Sequence, residues 1–263
     1  MNYREILEAM GKAAQSTGHF IAEQKQKVTR DDIEEKSLNS LVSYVDVTAE
    51  QQLVKALEKI LPEAGFITEE QTITQKGDRY NWIIDPLDGT TNFLHGVPPF
   101  AVSIALQEHR EIKAGIIYEL TQNELFSAAK GLGAYLNGQA IRCSPELKLS
   151  NSLVATGFPY ESFTQLPQFM ALLQEILGET RGLRRLGSAA TDMAYVACGR
   201  FNAFFEYGLS PWDVAAGALL VKEAGGLVKD FKGEEDYLFG KELVCGSAGT
   251  FQSLLSLIQK HLD

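Results

Sequence analysis

A mixed α+β / α/β fold is what the sequence predicts, on three observations. The first residues repeat apolar side chains at helical spacing, the stretch Trp82 to Lys130 breaks into short runs rich in Val, Ile, Phe and Tyr, and after about residue 150 strand-like and helix-like segments alternate. These read in turn as a long amphipathic helix, an antiparallel meander, and a sheet with helices on both faces.

Taken in order, Ile6, Leu7, Met10, Ala13, Ala14, Thr17, Phe20 and Ile21 mark the opening helix. The charge-rich segment Thr29 to Asn39 reads as a loop, Leu41 to Val45 as a short strand, and Ala49 to Leu61 as a second helix stopped by Pro62. The meander comprises WIID, FAVSIAL, KAGIIYE and ELFSAA and continues into Gly133 to Ile141, where Asn137-Gly138 signals a two-residue hairpin turn. Beyond it come the strand LVATGF, a helix near Gln168 to Leu177, GLRRLG, a helix Ala189 to Cys198, FNAFFEYG, a helix Val214 to Ala224, LVCGS and a closing helix.

At 263 residues and 45% hydrophobic content the chain can bury a full core, as one large unit or two joined lobes. The expectation is a single domain over 1–263, with sub-lobes of approximately 1–150 and 151–263. No apolar run approaches the roughly 20 residues that span a bilayer, and MNYREILEAMGKAAQ is charged from its fourth residue, so neither a membrane anchor nor a secretory signal is expected and the cytoplasm is the expected location. Cys143, Cys198 and Cys245 show no C-x-x-C spacing and read as buried small hydrophobes. A net charge of −10 argues against a nucleic-acid partner, and an acidic protein that handles phosphate must offset its own charge with metal ions or backbone N–H groups.

Chemistry concentrates in four places. Trp82-Ile-Ile-Asp85-Pro86-Leu87-Asp88-Gly89-Thr90-Thr91-Asn92-Phe93 sets two carboxylates three residues apart at the end of an apolar run, where open α/β sheets bind ligands. Alone, this stretch is more often a surface turn. Trp212-Asp213-Val-Ala-Ala-Gly starts a helix that ends in Gly225-Gly226, and a lone acid there is more often a helix cap. Glu69-Glu70 follows a short apolar step, and Leu41-Val-Ser-Tyr-Val-Asp46 is the fourth place. His95 has no partner at metal or triad spacing and reads as structural.

In combination these residues resemble the inositol monophosphatase family of magnesium-dependent, lithium-sensitive phosphatases. Its Asp-Pro-x-Asp-Gly-Thr-x-Asn-Phe stretch is matched by Asp85 to Phe93, and its Trp-Asp-x-Ala-Ala-Gly stretch ending in Glu-Ala-Gly-Gly by Trp212 to Gly226. Order and approximate spacing agree over nearly the whole chain, including the Gly-Ala-Tyr-Leu-Asn-Gly hairpin and Gly187-Ser188-Ala189. One departure stands at Ser40, where the family often has Asp before Leu-Val-Thr.

The resemblance implies a five-layer αβαβα sandwich acting as a cytoplasmic homodimer. It further implies that Glu69, Asp85, the Leu87 carbonyl, Asp88 and Asp213 hold two Mg²⁺ ions, with a third, weaker one near Asp46. Glu69 and Thr90, the latter oriented by Asp46, would position an attacking water. Asp88, Gly89, Thr90, Gly187, Ser188, Ala189, Glu206 and Asp213 would contact the substrate, with Glu206 on the sugar hydroxyls. The expected reaction is hydrolysis of inositol 1-phosphate. Relatives on the same fold act on adenosine 3′,5′-bisphosphate, fructose 1,6-bisphosphate or histidinol phosphate, and Thr90-Thr91-Asn92-Phe93 looks like the inositol branch. A non-catalytic descendant that keeps the fold to bind a partner is the alternative of another class.

Overall fold

Trp82, Ile83 and Ile84 are buried on successive residues of one strand, which requires apolar layers on both faces of its sheet. Trp82 and Ile84 join a core with Met10, Leu53 and Leu57. Ile83 joins another with Met193, Phe204 and Leu220. Phe204 and Phe205 divide in the same way, Phe205 entering a third core with Phe169, Leu254 and Ile258. Three cores lined by two sheets give the αβαβα sandwich.

The structure, a computed structural model, describes residues 2–28, 32–37, 40–158 and 164–262. The first outer layer holds α1 (Tyr3–Gln24) and, after a ribbon of β1 (Ile33–Ser37) and β2 (Ser40–Ser43), α2 (Tyr44–Ile60). The adjoining sheet runs in chain order through β3 (Gly65–Thr68), β4 (Tyr80–Asp88), β5 (Ala101–Glu108), β6 (Glu111–Glu119), β7 (Glu124–Ala129), β8 (Gly133–Leu136) and β9 (Gln139–Ile141), with α3 (Thr90–His95) between β4 and β5. Only the β3–β4 pair of this sheet is parallel.

The second sheet has the order β11 (Gly182–Arg184), β10 (Leu153–Thr156), β12 (Ala203–Tyr207), β14 (Glu242–Gly246) and β13 (Leu227–Lys229). Its outer face carries α4 (Leu166–Glu179) and α7 (Phe251–Leu262). Between the sheets lie α5 (Ala189–Ala197) and α6 (Pro211–Glu223). From Val214 to Val221 every residue of α6 is buried, as a helix packed on all sides must be. Small residues permit the close approach: a Cβ on Gly115 would lie 3.1 Å from the Ala216 Cα, and one on Gly217 would lie 2.7 Å from the Met193 Cβ. None of the described helices is long and apolar enough to cross a membrane.

Three sequence expectations are corrected. Within Thr29 to Asn39, Ile33–Ser37 is a strand rather than loop, pairing antiparallel with β2, while residues 29–31, 38 and 39 lie outside those described. Backbone hydrogen bonds make that ribbon, and hydropathy does not report them. The second helix starts at Tyr44 and not Ala49, because Ser43 and Asp46 form a capping box that draws Tyr44 and Val45 out of the expected strand. Of the cysteines only Cys245 is fully buried; Cys143 and Cys198 are partly exposed, although burial still pushes the Cys143 thiol up to about 12. The edge strand β13, three residues long, has no alternation long enough to read.

Because α6 is held by contacts at near minimum separation, Gly217→Val is expected to destabilise the protein by about 1–3 kcal/mol through overpacking against Met193. A urea titration that leaves the unfolding midpoint unchanged would contradict this account of the central layer.

Candidate active site

Asp85 and Asp88 stand an odd number of residues apart on β4, so on a regular strand they would face opposite sides of the sheet. A bulge removes the conflict. Asp85 pairs with Ser103 and Asp88 with Ala101, so three steps on β4 face two on β5. Pro86, which has no N–H to give to a ladder, occupies the irregular stretch. The Asp85 Oδ1 accepts the Leu87 N–H at 2.9 Å, which holds the bulge from within.

The third carboxylate arrives from the other sheet's half of the chain. Ser210 caps α6 and Asp213 is the matching residue of its capping box, accepting the Ser210 N–H at 2.6 Å. Capping thus orients Asp213 rather than competing with a site role. Carboxylate oxygens of Asp85, Asp88 and Asp213 all lie within 4.8 Å of one another. Glu69, immediately after β3, hydrogen-bonds Asp85 and places its charge on this group.

Helix α5 braces Asp88: the Ser188 Oγ donates to its Oδ2 at 2.6 Å and the Ala190 N–H at 2.7 Å. On the opposite side, the Thr90 Oγ lies 2.9 Å from the Asp46 Oδ1 and 3.0 Å from the Leu87 carbonyl oxygen. The other Asp46 oxygen accepts from the Ser43 N–H and Ser43 Oγ, both at 2.8 Å. Gly89 has a φ of +93°, and a Cβ there would come within 3.2 Å of the Gly187 carbonyl, so two glycine turns from distant parts of the chain abut. Asn92 ties them, donating to the Pro99 and Leu186 carbonyls at 2.8 Å each.

Burial raises the pKa of Asp85 well above the ordinary carboxylate range, and the charges of Glu69, Asp88 and Asp213 raise it further. Asp213 is raised by burial, Asp88 and Glu69. Burial pushes Asp88 up to about 6 against the opposing hydrogen bonds of Ser188 and Ala190. Carboxylates this close repel by about 4 kcal/mol per pair at an effective dielectric of 20, so the group favours either protons or a cation. Three carboxylates with a neighbouring backbone carbonyl are an all-oxygen donor set, which fits a hard divalent ion such as Mg²⁺ and not a zinc site.

Beyond this group, β12 delivers Glu206, whose carboxylate lies against Gly157 so tightly that a Cβ there would be 1.9 Å from it. Burial pushes Glu206 up to about 8, with Arg185 opposing. Ser188 is buried beneath Asp88 as the cap of α5, and Ala189 opens that helix. His95 is exposed at the end of α3. Sequence reading passes over Asp192, one turn beyond Ser188 on α5, fully buried with its Oδ1 lacking a hydrogen-bond partner among the described residues. Burial and the charges of Glu206 and Asp88 raise its pKa well above the usual range. The available signal is an acid inside the apolar run Ala189 to Ala197. Glu50, fully buried on α2 beyond Asp46, is missed for the same reason.

The profile of the inositol monophosphatase family matches residues 2–263. The chain is 43% identical over 256 residues to a Pseudomonas aeruginosa protein named Nus factor SuhB, across 95% of this chain and 94% of that one. It is 40% identical over 259 residues to the inositol-1-monophosphatase of Mesorhizobium japonicum, across 98% and 97% of the two chains. Among solved structures, the extragenic suppressor protein suhB of Bartonella henselae aligns with a TM-score of 0.92 at 37% identity, over 98% of this chain and 100% of that one.

A folded pKa near 6 for Asp88, above the unfolded value of about 3.9, means that the folded state binds the proton more tightly, so metal-free stability falls as pH rises from about 4 to 6. Asp88→Asn keeps an acceptor for Ser188 and Ala190 and removes one charge from the group. In EDTA at neutral pH it is expected to melt a few degrees above the wild type, and the order should reverse in Mg²⁺. Thermal scans in which D88N melts below wild type in EDTA would refute the repulsion argument.

Proposed function

The chain belongs to the inositol monophosphatase family, and on that premise we propose that it is a Mg²⁺-dependent phosphatase of small phosphate monoesters, with inositol 1-phosphate the first substrate. The convergence of Asp85, Asp88 and Asp213 within 4.8 Å carries the reading. One ion is assigned to Glu69, Asp85 and the Leu87 carbonyl and a second to Asp85, Asp88 and Asp213, with a weaker third beside Asp46. When bound, such ions neutralise phosphoryl oxygens and acidify water.

The chain's own residues supply position and proton transfer. Thr90, its hydroxyl fixed between Asp46 and the Leu87 carbonyl, orients the attacking water together with Glu69, which takes up its proton. Water adds in line to phosphorus as the bond to the polyol oxygen breaks, the polyol oxygen leaving as the alcohol after taking a proton from solvent water. Gly89 and Thr90 face the phosphoryl group from the start of α3, and Gly187, Ser188 and Ala189 line the substrate pocket, Ser188 also holding Asp88 in place. Glu206 recognises ring hydroxyls: a buried acid with oxygens aimed at a polyol discriminates strongly, because a substrate lacking the hydroxyl leaves it unpaired. A cytoplasmic homodimer is the setting expected from the family resemblance.

A second reading is a non-catalytic descendant that keeps the fold to bind a partner; several relatives carry the name Nus factor, which names no hydrolytic activity. Retention of Glu69, Asp85, Asp88 and Asp213 favours the enzyme.

Phosphate release with and without Mg²⁺ from inositol 1-phosphate, adenosine 3′,5′-bisphosphate, fructose 1,6-bisphosphate and histidinol phosphate separates these readings. Mg²⁺-dependent release, fastest from inositol 1-phosphate, is expected; a different preference would move the substrate, and no release from any of the four would favour the binding role. Glu206→Gln is expected to raise KM for inositol 1-phosphate about tenfold with kcat within about threefold, the signature of lost substrate binding. An unaltered KM would remove Glu206 from the substrate pocket.

A further inference from the structure

Glu50 stands four residues after Asp46 on α2, so the two carboxylates share a helix face. Both are buried, at 1% exposure for Asp46 and 0% for Glu50. A carboxylate removed from water is tolerated only when its oxygens are occupied, and those of Glu50 are. Its Oε2 accepts the Glu70 N–H at 2.7 Å, and its Oε1 accepts the Thr72 N–H at 2.8 Å and the Thr72 Oγ–H at 2.7 Å. All three donors belong to the turn that directly follows Glu69.

We propose that Glu50 is a positioning residue that fixes the Glu69 carboxylate for metal binding by clamping the 70–72 turn. The inference rests on the preceding assignment of Glu69 as a metal ligand. Gln71, between the two anchored amides, has a φ of +52°, a left-handed conformation uncommon for a residue with a side chain. Hydrogen bonds from the residues on both sides to one buried carboxylate hold it there. Toward the sheet, by contrast, the Glu69 N–H reaches the Ile84 carbonyl at 3.3 Å, a long bond beside the 2.7–2.8 Å contacts of the clamp. The clamp thus holds the backbone after Glu69 by shorter bonds than the one that ties Glu69 itself to the sheet. One helix thereby positions two parts of the site, Thr90 through Asp46 and Glu69 through Glu50.

The fold holds its own control. Glu119 is also fully buried, and its carboxylate accepts the Thr121 N–H at 3.1 Å, the Thr121 Oγ–H at 2.5 Å and the Gln122 N–H at 2.6 Å. That turn joins β6 to β7 and carries none of the residues assigned to the site.

Glu50→Gln preserves shape but replaces one acceptor oxygen by an NH₂ group, which leaves the Glu70 or the Thr72 amide without an acceptor. Calorimetric titration of Mg²⁺ into substrate-free protein, with thermal unfolding and the Mg²⁺ dependence of phosphate release, compares wild type, E50Q and E119Q. E50Q is expected to bind Mg²⁺ about tenfold more weakly and to need correspondingly more for half-maximal release, the scale seen when a residue that orients a metal ligand is lost. E119Q is expected to lose comparable thermal stability and to bind Mg²⁺ as the wild type does. Should E50Q fail to fold, Thr72→Val, which deletes one of the three donors, is expected to weaken Mg²⁺ binding severalfold. Equal Mg²⁺ affinity in E50Q and E119Q, or unchanged affinity in T72V, would overturn the inference while leaving the phosphatase reading intact. Wild type that takes up no Mg²⁺ and releases no phosphate would instead overturn the phosphatase reading, and this inference with it.

Discussion

Three carboxylates with oxygens inside 4.8 Å of one another repel, and the surrounding architecture exists to hold them there. Asp85 is fixed by the bulge of β4, Asp88 by the first turn of α5, and Asp213 by the cap of α6. Each support is a hydrogen bond to backbone or to a buried hydroxyl, so none of the three can swing away to relieve the repulsion. Such a site is poorly stable on its own charge, so a cation bound there would couple ligand binding to folding stability.

The supports come from different layers, and this explains the packing of the middle of the molecule. Helices α5 and α6 lie between the sheets and present their N-termini to the end of β4, where positive helix-end dipoles favour the acids beside them. Their depth depends on Gly115 and Gly217, where any side chain would push helix from sheet or helix from helix. Asn92 then joins the turn after β4 to the strand side of α5 across 94 residues of chain. Stability and site geometry are therefore not separable in the central layer.

The walls of the site carry further buried acid. Glu206 and Asp192 both have raised pKa values, with burial the largest cause, and each adds to the unfavourable charge near Asp88. Arg185 moderates both. A chain with net charge −10 that gathers acids in one buried group would repel an anion there unless cations intervene, which is the same conclusion the carboxylate group itself imposes.

Much of this was legible in the chain before any coordinates. Asp-Pro-Leu-Asp-Gly-Thr at the end of an apolar strand, Trp-Asp at the start of a small-residue helix, and Glu69 after a short apolar step together point, through the family they resemble, to the acids that the structure gathers, and the two texture changes mark the two sheets. Hydropathy and turn chemistry are local properties, so local pattern suffices for them. It does not suffice for the β1–β2 ribbon or the early start of α2, which depend on backbone and capping hydrogen bonds. Nor does it reveal Asp192 and Glu50, whose meaning comes from partners far along the chain: Glu206 for the first, the 70–72 turn for the second. By itself the sequence determined which residues are acidic and which segments are apolar, and hence the class of fold. Only the tertiary structure decided which acids meet, because a strand separates Asp85 and Asp88 onto opposite faces until a bulge turns them together, and only the stacking of layers brings Asp213 to join them.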